Sequence, residues 1–332
     1  MTSDWPMLVV DGLRVAIARA DRTVYPVDGV SFSVAPGECL GIVGESGSGK
    51  SLTLKALAGV LPRVASMADG SVRLAPAAGD EPAPFDPTAA HSNGVTMVFQ
   101  EPMTALNPTM RIGDLVAESI VVQRGVRRAE ARRNALELMR EVGIPDPESR
   151  AQAWPHELSG GLRQRVMIAM ALGGGPRVLL CDEPTTALDV TIQDQILRLI
   201  DRLRRERGLS VVFVTHDLAV IGQIAQRVAV MYAGQIIEEG PVAEVLTDPR
   251  HAYTQNLLRS IPTVDHASRA GDGHLVAIGG APPDPGSFGF GCRFSPRCSM
   301  TIDACNAEER RLVQITSWRT TACLRHAEVS RT

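Results

Sequence analysis

A chain of 332 residues exceeds one ordinary domain, so one large domain with an extension is the starting expectation. With 34 Lys and Arg against 37 Asp and Glu, the net charge is only -3, which supplies no electrostatic footprint for nucleic acid. No apolar run reaches the ~18 residues of a membrane-spanning helix, and Met1-Thr2-Ser3-Asp4-Trp5-Pro6 lacks the basic start and apolar core of a signal peptide. A cytosolic chain that reaches a membrane only through a partner is therefore expected.

In chain order, Val30-Ser31-Phe32-Ser33-Val34 alternates and stops at Pro36-Gly37, which predicts a half-buried strand and a turn. The apolar run Cys39-Leu40-Gly41-Ile42-Val43 leads straight into Gly44-Glu45-Ser46-Gly47-Ser48-Gly49-Lys50-Ser51, which fits G-x-x-x-x-G-K-S/T. Strand, loop and helix thus come in the order that a phosphate-binding loop requires. Glycines let successive N–H groups face phosphate oxygens, and the helix adds the positive end of its dipole. Lys50 supplies charge toward β/γ-phosphates, and Ser51 offers a hydroxyl to Mg²⁺. Leu54, Leu57, Ala58 and Leu61 repeat at helical spacing, so the helix carrying the loop can bury one face.

The stretch from Ala75 to Asn93 is crowded with Ala, Pro, Gly and Asp and reads as a surface loop between two strands. Helical patterns run from about Arg111 to Gly143 and stop at Gly143 and Pro145. Arg124, Arg127, Arg128, Arg132 and Arg133 read as a solvated helix face. Within Leu158-Ser159-Gly160-Gly161-Leu162-Arg163-Gln164, the trio Ser159, Gly160 and Gly161 opens a helix, so hydroxyl, backbone N–H groups and dipole form an anion site without a lysine. Alone, such a trio is more simply a helix cap.

A second α/β block follows. Arg177-Val178-Leu179-Leu180-Cys181-Asp182 is a buried-strand run ending in acid, Ile192, Ile196, Leu199, Ile200 and Leu203 mark one helix face, and Val211-Val212-Phe213-Val214 ends at Thr215-His216-Asp217. Alternating strands and helices imply a mostly parallel sheet, whose carboxyl ends are the usual ligand position. The P-loop, Asp182-Glu183 and His216 would all lie there. Adjacent acids after a largely apolar run make an odd strand end without a cation nearby. A lone His or Asp is ordinarily structural, so His216 and Asp189 draw their interest from the ordered set.

Taken together, these residues resemble the ATP-binding cassette family, which carries a P-loop, a Gln loop, an L-S-G-G-Q-type signature, an acidic strand end and a switch histidine in this order. The resemblance implies a P-loop ATPase core with a mostly parallel sheet, an antiparallel β subdomain, a helical signature subdomain and a small C-terminal extension. It implies a cassette domain over 1–245, with the helical subdomain at about 102–176, and an extension over 246–332. By the same resemblance, residues 44–51 hold ATP, while Ser51, Gln100 and Asp182 serve Mg²⁺. Glu183 is then the general base, Gln100 orients the attacking water, and His216 holds the γ-phosphate. Ser159, Gly160, Gly161 and Asp189 would meet the nucleotide of a facing subunit. Two departures stand out. Leu162 replaces the family's common Gln, and no clean aromatic matches the family's adenine-stacking residue, leaving Ile17 or Tyr25 as candidates and modest base selectivity as the expectation.

Gln100-Glu101-Pro102-Met103-Thr104-Ala105-Leu106-Asn107-Pro108, Asp182 through Thr191, His251-Ala252-Tyr253-Thr254, Gly280-Ala281-Pro282-Pro283 and Gly291-Cys292-Arg293-Phe294-Ser295-Pro296-Arg297-Cys298 look like the oligopeptide/dipeptide importer group. That resemblance implies an ATP-hydrolysing subunit at the cytoplasmic face of the cell membrane, peripheral to two permease subunits. A second, different ATPase subunit, an extracytoplasmic substrate-binding protein and no nucleic acid complete the implied set of partners. The alternatives are a soluble ATPase acting on nucleic acid or ribosomes, or the same importer type with a nickel chelate or other small solute as cargo.

Of six cysteines, Cys39 and Cys181 sit in apolar runs and read as small hydrophobes. Cys292, Cys298, Cys305 and Cys323 cluster late, which in a cytosolic chain argues for a metal site over disulfides. Their spacing lacks the short ligand pair typical of structural zinc, and iron–sulfur ligation tolerates varied spacing, so iron–sulfur, zinc and free thiols all remain open from the residues alone. The family resemblance implies a 4Fe–4S cluster stapling the extension, with zinc as the alternative.

Overall fold

The computed structural model describes residues 5–92, 94–101, 105–260, 278–307 and 311–329. Residues 1–4, Asn93 of the predicted loop, and Pro102, Met103 and Thr104 after Gln100 lie outside them.

Two sheets organise the chain. A four-stranded antiparallel sheet has the order β2-β1-β4-β5, from β1 (Leu8–Ala18), β2 (Thr23–Val34), β4 (Ala65–Leu74) and β5 (Ala83–Pro84). The larger sheet has the order β11-β12-β10-β9-β3-β8-β7-β6. Its parallel part comprises β9 (Arg227–Tyr232), β3 (Cys39–Val43), β8 (Ser210–Thr215), β7 (Val178–Asp182) and β6 (Val95–Val98). The strands β10 (Gln235–Pro241), β12 (Arg319–Thr321) and β11 (Val313–Thr316) continue it antiparallel.

The parallel strands are apolar throughout because both faces are covered. Along β3, Cys39 and Val43 enter the core shared with the helices, whereas Leu40 and Ile42 enter the core beneath the antiparallel sheet. Along β7, Leu179 and Cys181 take the first side and Val178 and Leu180 the second, as two-residue periodicity requires. Each fully buried side chain of this kind contributes about 1.5–3 kcal/mol. Cys39 and Cys181 are fully buried, as their apolar runs predicted, and burial pushes both thiols up.

Helix α1 (Lys50–Leu57) follows the P-loop. It is shorter than the apolar spacing suggested, because Gly59 turns left-handed at φ +68°. Leu61 therefore lies beyond the helix, although it still packs on the same core. The predicted loop after β4 does link two strands, but it contains β5 and a 3₁₀ turn over Pro87–Ser92. The helical stretch resolves into α2 (Ile112–Arg124) and α3 (Arg128–Glu141), then the short α4 (Pro147–Arg150) and α5 (Gly160–Leu172). Arg124, Arg127, Arg128, Arg132 and Arg133 are exposed, the solvated face expected of them.

Beyond β7, α6 (Val190–Arg207) and α7 (Leu218–Ile224) cover the sheet, and α8 (Val242–Thr247) and α9 (Ala252–Arg259) follow β10. The last described helix is α10 (Ala304–Ala307). The C-terminal hairpin then pairs with β10, Glu238 opposite Thr321, and Arg319 donates to the fully buried Glu238 carboxylate at 2.7 Å. Removing Arg319 would leave a buried charge unpaired, a loss of about 3–5 kcal/mol.

Candidate active site

The P-loop turns between β3 and α1 with a backbone that few residues could adopt. A Cβ at Gly44 would lie 2.0 Å from the Met231 carbonyl oxygen, and Gly49 combines φ +103° with a virtual Cβ 2.6 Å from the Pro26 carbonyl. Lys50 is buried and donates from Nζ to the carbonyls of Gly44 at 2.8 Å and Glu45 at 3.0 Å. Burial pushes its ammonium below the usual range, against the pull of the Glu183, Asp182 and Glu45 carboxylates.

Ser51 donates its hydroxyl to Asp182 Oδ1 at 2.7 Å, across the gap between the start of α1 and the end of β7. Burial raises the Asp182 carboxyl above its usual range, opposed by the Ser51 hydrogen bond and by Lys55 and Lys50. A carboxylate and a hydroxyl this close are hard oxygen donors, the chemistry that suits Mg²⁺.

Glu183 follows Asp182 with φ +44°, a conformation that is strained for a non-glycine residue. Its Oε2 accepts the Thr186 hydroxyl at 2.8 Å and lies 2.9 Å from His216 Nδ1. One cavity of about 550 Å³ is lined by Ser46, Gly47, Gly49, Lys50, Ser51, Gln100, Glu183 and His216, together with Pro26, Leu52 and Thr186. Residues from positions 46 to 216 thus converge at the carboxyl ends of β3, β7 and β8. Gly44, Glu45 and Ser48 shape the loop behind it, with Ser48 buried.

Other expected residues form a separate group. The Ser159 hydroxyl accepts the Leu162 N–H at 3.4 Å, and the Asp189 carboxylate accepts the Ile192 N–H at 3.0 Å. Both therefore cap helices, α5 and α6. A Cβ on Gly161 would lie 2.6 Å from Ile192 Cγ2, so Gly161 lets these helix starts meet. None of Ser159, Gly160, Gly161 or Asp189 lines the P-loop cavity. Ile17 and Tyr25 do not line it either; the Arg14 guanidinium stacks 4.0 Å from the Tyr25 ring centroid, and the neighbouring Pro26 faces the cavity instead.

The residues that sequence reasoning missed are Pro26, Leu52 and Thr186, none of which carries a spacing signal. It also missed Tyr253 and Arg297, which reach Glu45 from the C-terminal region.

Cys292, Cys298, Cys305 and Cys323 line one narrow cavity with His251 and Phe294. Met300 donates its backbone N–H to Cys298 Sγ at 3.4 Å, and backbone N–H groups of Phe294 and of Arg325 and Ala252 reach Cys292 and Cys323. Burial pushes the Cys292 thiol up to about 11 and raises Cys298 and Cys323 as well. Among the described residues, no three or more His, Cys, Asp or Glu side chains converge as a ligand group for a metal ion. A single zinc, with sulfur at ~2.3 Å, demands such tight convergence. Four soft sulfur donors around one space, three of them accepting backbone N–H groups, have the chemistry of iron–sulfur or zinc ligands.

Comparison with known proteins accords with this geometry. Residues 27–186 match the family model described as ABC transporter. The dimeric ATP-binding cassette MJ0796, solved with ADP and Pi, superposes with a TM-score of 0.60 at 28% identity, covering 71% of this chain and 99% of that one. The chain belongs to the ATP-binding cassette family. Residues 237–305 match the C-terminal region of oligopeptide/dipeptide transporters. A Brucella abortus protein whose name places it among peptide import ATP-binding proteins is 46% identical over 98% of both chains. The oligopeptide transport ATP-binding protein AppD of Bacillus subtilis is 41% identical over 97% of both. OppD of Mycobacterium tuberculosis is 44% identical over 96% of this chain but only 52% of its own length.

Proposed function

We propose that this chain is the ATP-hydrolysing subunit of a membrane importer for di- or oligopeptides. The reading is supported above all by Lys50, Ser51, Gln100, Glu183 and His216 lining one cavity in a chain whose C-terminal region matches peptide transporters. Residues 44–51 hold the ATP phosphates through backbone N–H groups and Lys50. Ser51, Asp182 and Gln100 would hold Mg²⁺, which would supply positive charge against the phosphate oxygens. Glu183 takes the proton of the attacking water, and His216 orients Glu183 and the γ-phosphate. Phosphoryl transfer asks little more of a protein than such positioning.

The Ser159, Gly160, Gly161 and Asp189 group lies apart from the chain's own P-loop cavity, which suits contact with nucleotide on a facing subunit. A different ATPase subunit as that partner, two permeases and an extracytoplasmic binding protein complete the proposed assembly. No helix among the described residues is long and apolar enough to cross a membrane. We place the chain peripherally, at the cytoplasmic face. An apolar groove of about 230 Å³ beside Gln100, lined by Val60, Phe99, Leu106, Met167 and Met170, suits a permease segment. We keep residues 1–245 as the cassette, with its helical subdomain at about 102–176, and 246–332 as the extension. Affinity capture from native membranes tests the whole reading. Two permeases, a second cassette ATPase and a binding protein should co-purify; ribosomes or nucleic-acid proteins without permeases would overturn it.

We also propose that Cys292, Cys298, Cys305 and Cys323 ligate a 4Fe–4S cluster in preference to zinc, because the four thiols line one narrow cavity and the sequence lacks the short ligand pair typical of structural zinc. The cluster cross-links an extension that has little core of its own. Anaerobically purified protein should be brown and contain iron and sulfide. Stoichiometric zinc without iron would refute the assignment.

A further inference from the structure

Glu45 is the one charged residue between Gly44 and Gly49, and it does not line the cavity of its own loop. Its three polar groups are all held. The carbonyl accepts Lys50 Nζ at 3.0 Å, the backbone N–H donates to the Tyr253 hydroxyl at 2.8 Å, and the carboxylate accepts both terminal nitrogens of Arg297 at 2.7 and 3.0 Å. Two of these three partners come from the C-terminal region, Tyr253 on α9 and Arg297 in the turn between Cys292 and Cys298.

Arg297 is built for one position. Its side chain is only 5% exposed, and it also donates to the Gly279 and Ile278 carbonyls and to the Tyr232 hydroxyl. Phe294, three residues earlier, is buried edge-on against the rings of Tyr232 and Tyr253. The guanidinium therefore has little freedom to follow Glu45, and Glu45 is held to the place that Arg297 defines. A planar bidentate grip fixes orientation as well as distance. Glu45 begins the turn whose later N–H groups must face phosphate, so fixing it fixes the curvature of the whole loop.

We propose that Arg297 is a positioning residue of the nucleotide site. Through Glu45, and aided by Tyr253, it holds the P-loop in its phosphate-receiving form, so that the C-terminal extension sets nucleotide affinity. The proposal rests on the reading that the P-loop cavity takes MgATP; it does not depend on what the four cysteines bind.

The test is equilibrium binding of MgATP to the full-length chain. Arg297→Gln is expected to weaken binding about tenfold, the scale of a lost charge-assisted bidentate contact. Arg297→Lys, which keeps the charge without the fork, should recover part of that loss. Glu45→Gln should weaken binding to a similar degree, and the double variant should be no worse than either single one. Binding within twofold of the parent chain for Arg297→Gln, or losses that multiply in the double variant, would overturn the proposal. Thermal unfolding without nucleotide reports whether Arg297→Gln folds. If it does not, Tyr253→Phe decides, since it keeps the ring packing and removes only the acceptor of the Glu45 N–H: weakening of at least about threefold supports the proposal and unchanged affinity overturns it. Lys50→Ala separates the two readings. A parent chain that binds no MgATP removes the nucleotide reading itself, whereas binding that is lost in Lys50→Ala but kept in Arg297→Gln removes only the role of Arg297.

Discussion

His216 Nδ1 stands 2.9 Å from Glu183 Oε2, and the two side chains leave the carboxyl ends of neighbouring parallel strands, β8 and β7. Their contact is a consequence of sheet order. Glu183→Gln should therefore leave the fold and MgATP binding intact while cutting steady-state hydrolysis at least about a hundredfold, the usual scale of a lost general base. Adding His216→Ala to that variant should cost little more, because residues acting as one unit are not additive. Undiminished hydrolysis by Glu183→Gln would remove it as the base.

Two P-loop glycines should differ in their tolerance of a methyl group. Gly47 and Gly49 both have positive φ, but a Cβ on Gly47 meets nothing within 4 Å, whereas one on Gly49 meets the Pro26 carbonyl at 2.6 Å. Gly47→Ala carries only backbone strain, about 1 kcal/mol. Gly49→Ala carries strain and a backbone clash, and we expect it to be the more destabilising by at least about 1 kcal/mol. Chemical denaturation of both variants checks this, and equal stabilities would contradict it.

Base selectivity should be modest. Arg14 stacks on Tyr25, and neither Tyr25 nor Ile17 lines the P-loop cavity. Stacking of a base on an aromatic ring is worth about 1–3 kcal/mol. Without it, ATP and GTP should bind within about tenfold of each other. A strong ATP preference in competition binding would show that another residue reads the base.

Glu239 should give the fold a pH dependence of defined sign. Burial raises its carboxyl above the ordinary value of 4.5, and this outweighs the attraction of Arg227, while Glu38 shares the same guanidinium and adds to the rise. A raised native value means that the contribution to stability is fully present below about 4.5 and is lost as pH climbs through the native value. Relative to Glu239→Gln, which does not titrate, the parent chain should lose stability as pH rises from 4.5. Urea unfolding of both proteins across pH checks the slope; an advantage of the parent that grows with pH would mean that the Arg227 pair dominates.

The site was legible in the sequence where its chemistry is local or recurs in a fixed order. Lys50 and Ser51 follow a strand within one loop, and Glu183 and His216 end strands whose parallel pairing follows from βα alternation. What stayed hidden depends on contacts that spacing cannot express. Glu45 and Arg297 are 252 positions apart, and nothing in either neighbourhood announces the other. That the Arg14 guanidinium on β1 stacks on the Tyr25 ring of β2 is equally invisible to spacing. Leu61 kept helical spacing past Gly59, yet the left-handed glycine had already ended the helix.

Pairing Glu238 with Thr321 places the last described strand of the chain beside one completed long before it. A ribosome adding roughly 5–20 residues per second would leave β10 without this neighbour for several seconds, its unpaired edge open to any strand nearby. The newborn protein thus passes through an interval in which most of the cassette can fold while one side of its sheet is unguarded. Translation that stalls after α9 would hold it there, and the product would be a near-native molecule prone to joining others through β10.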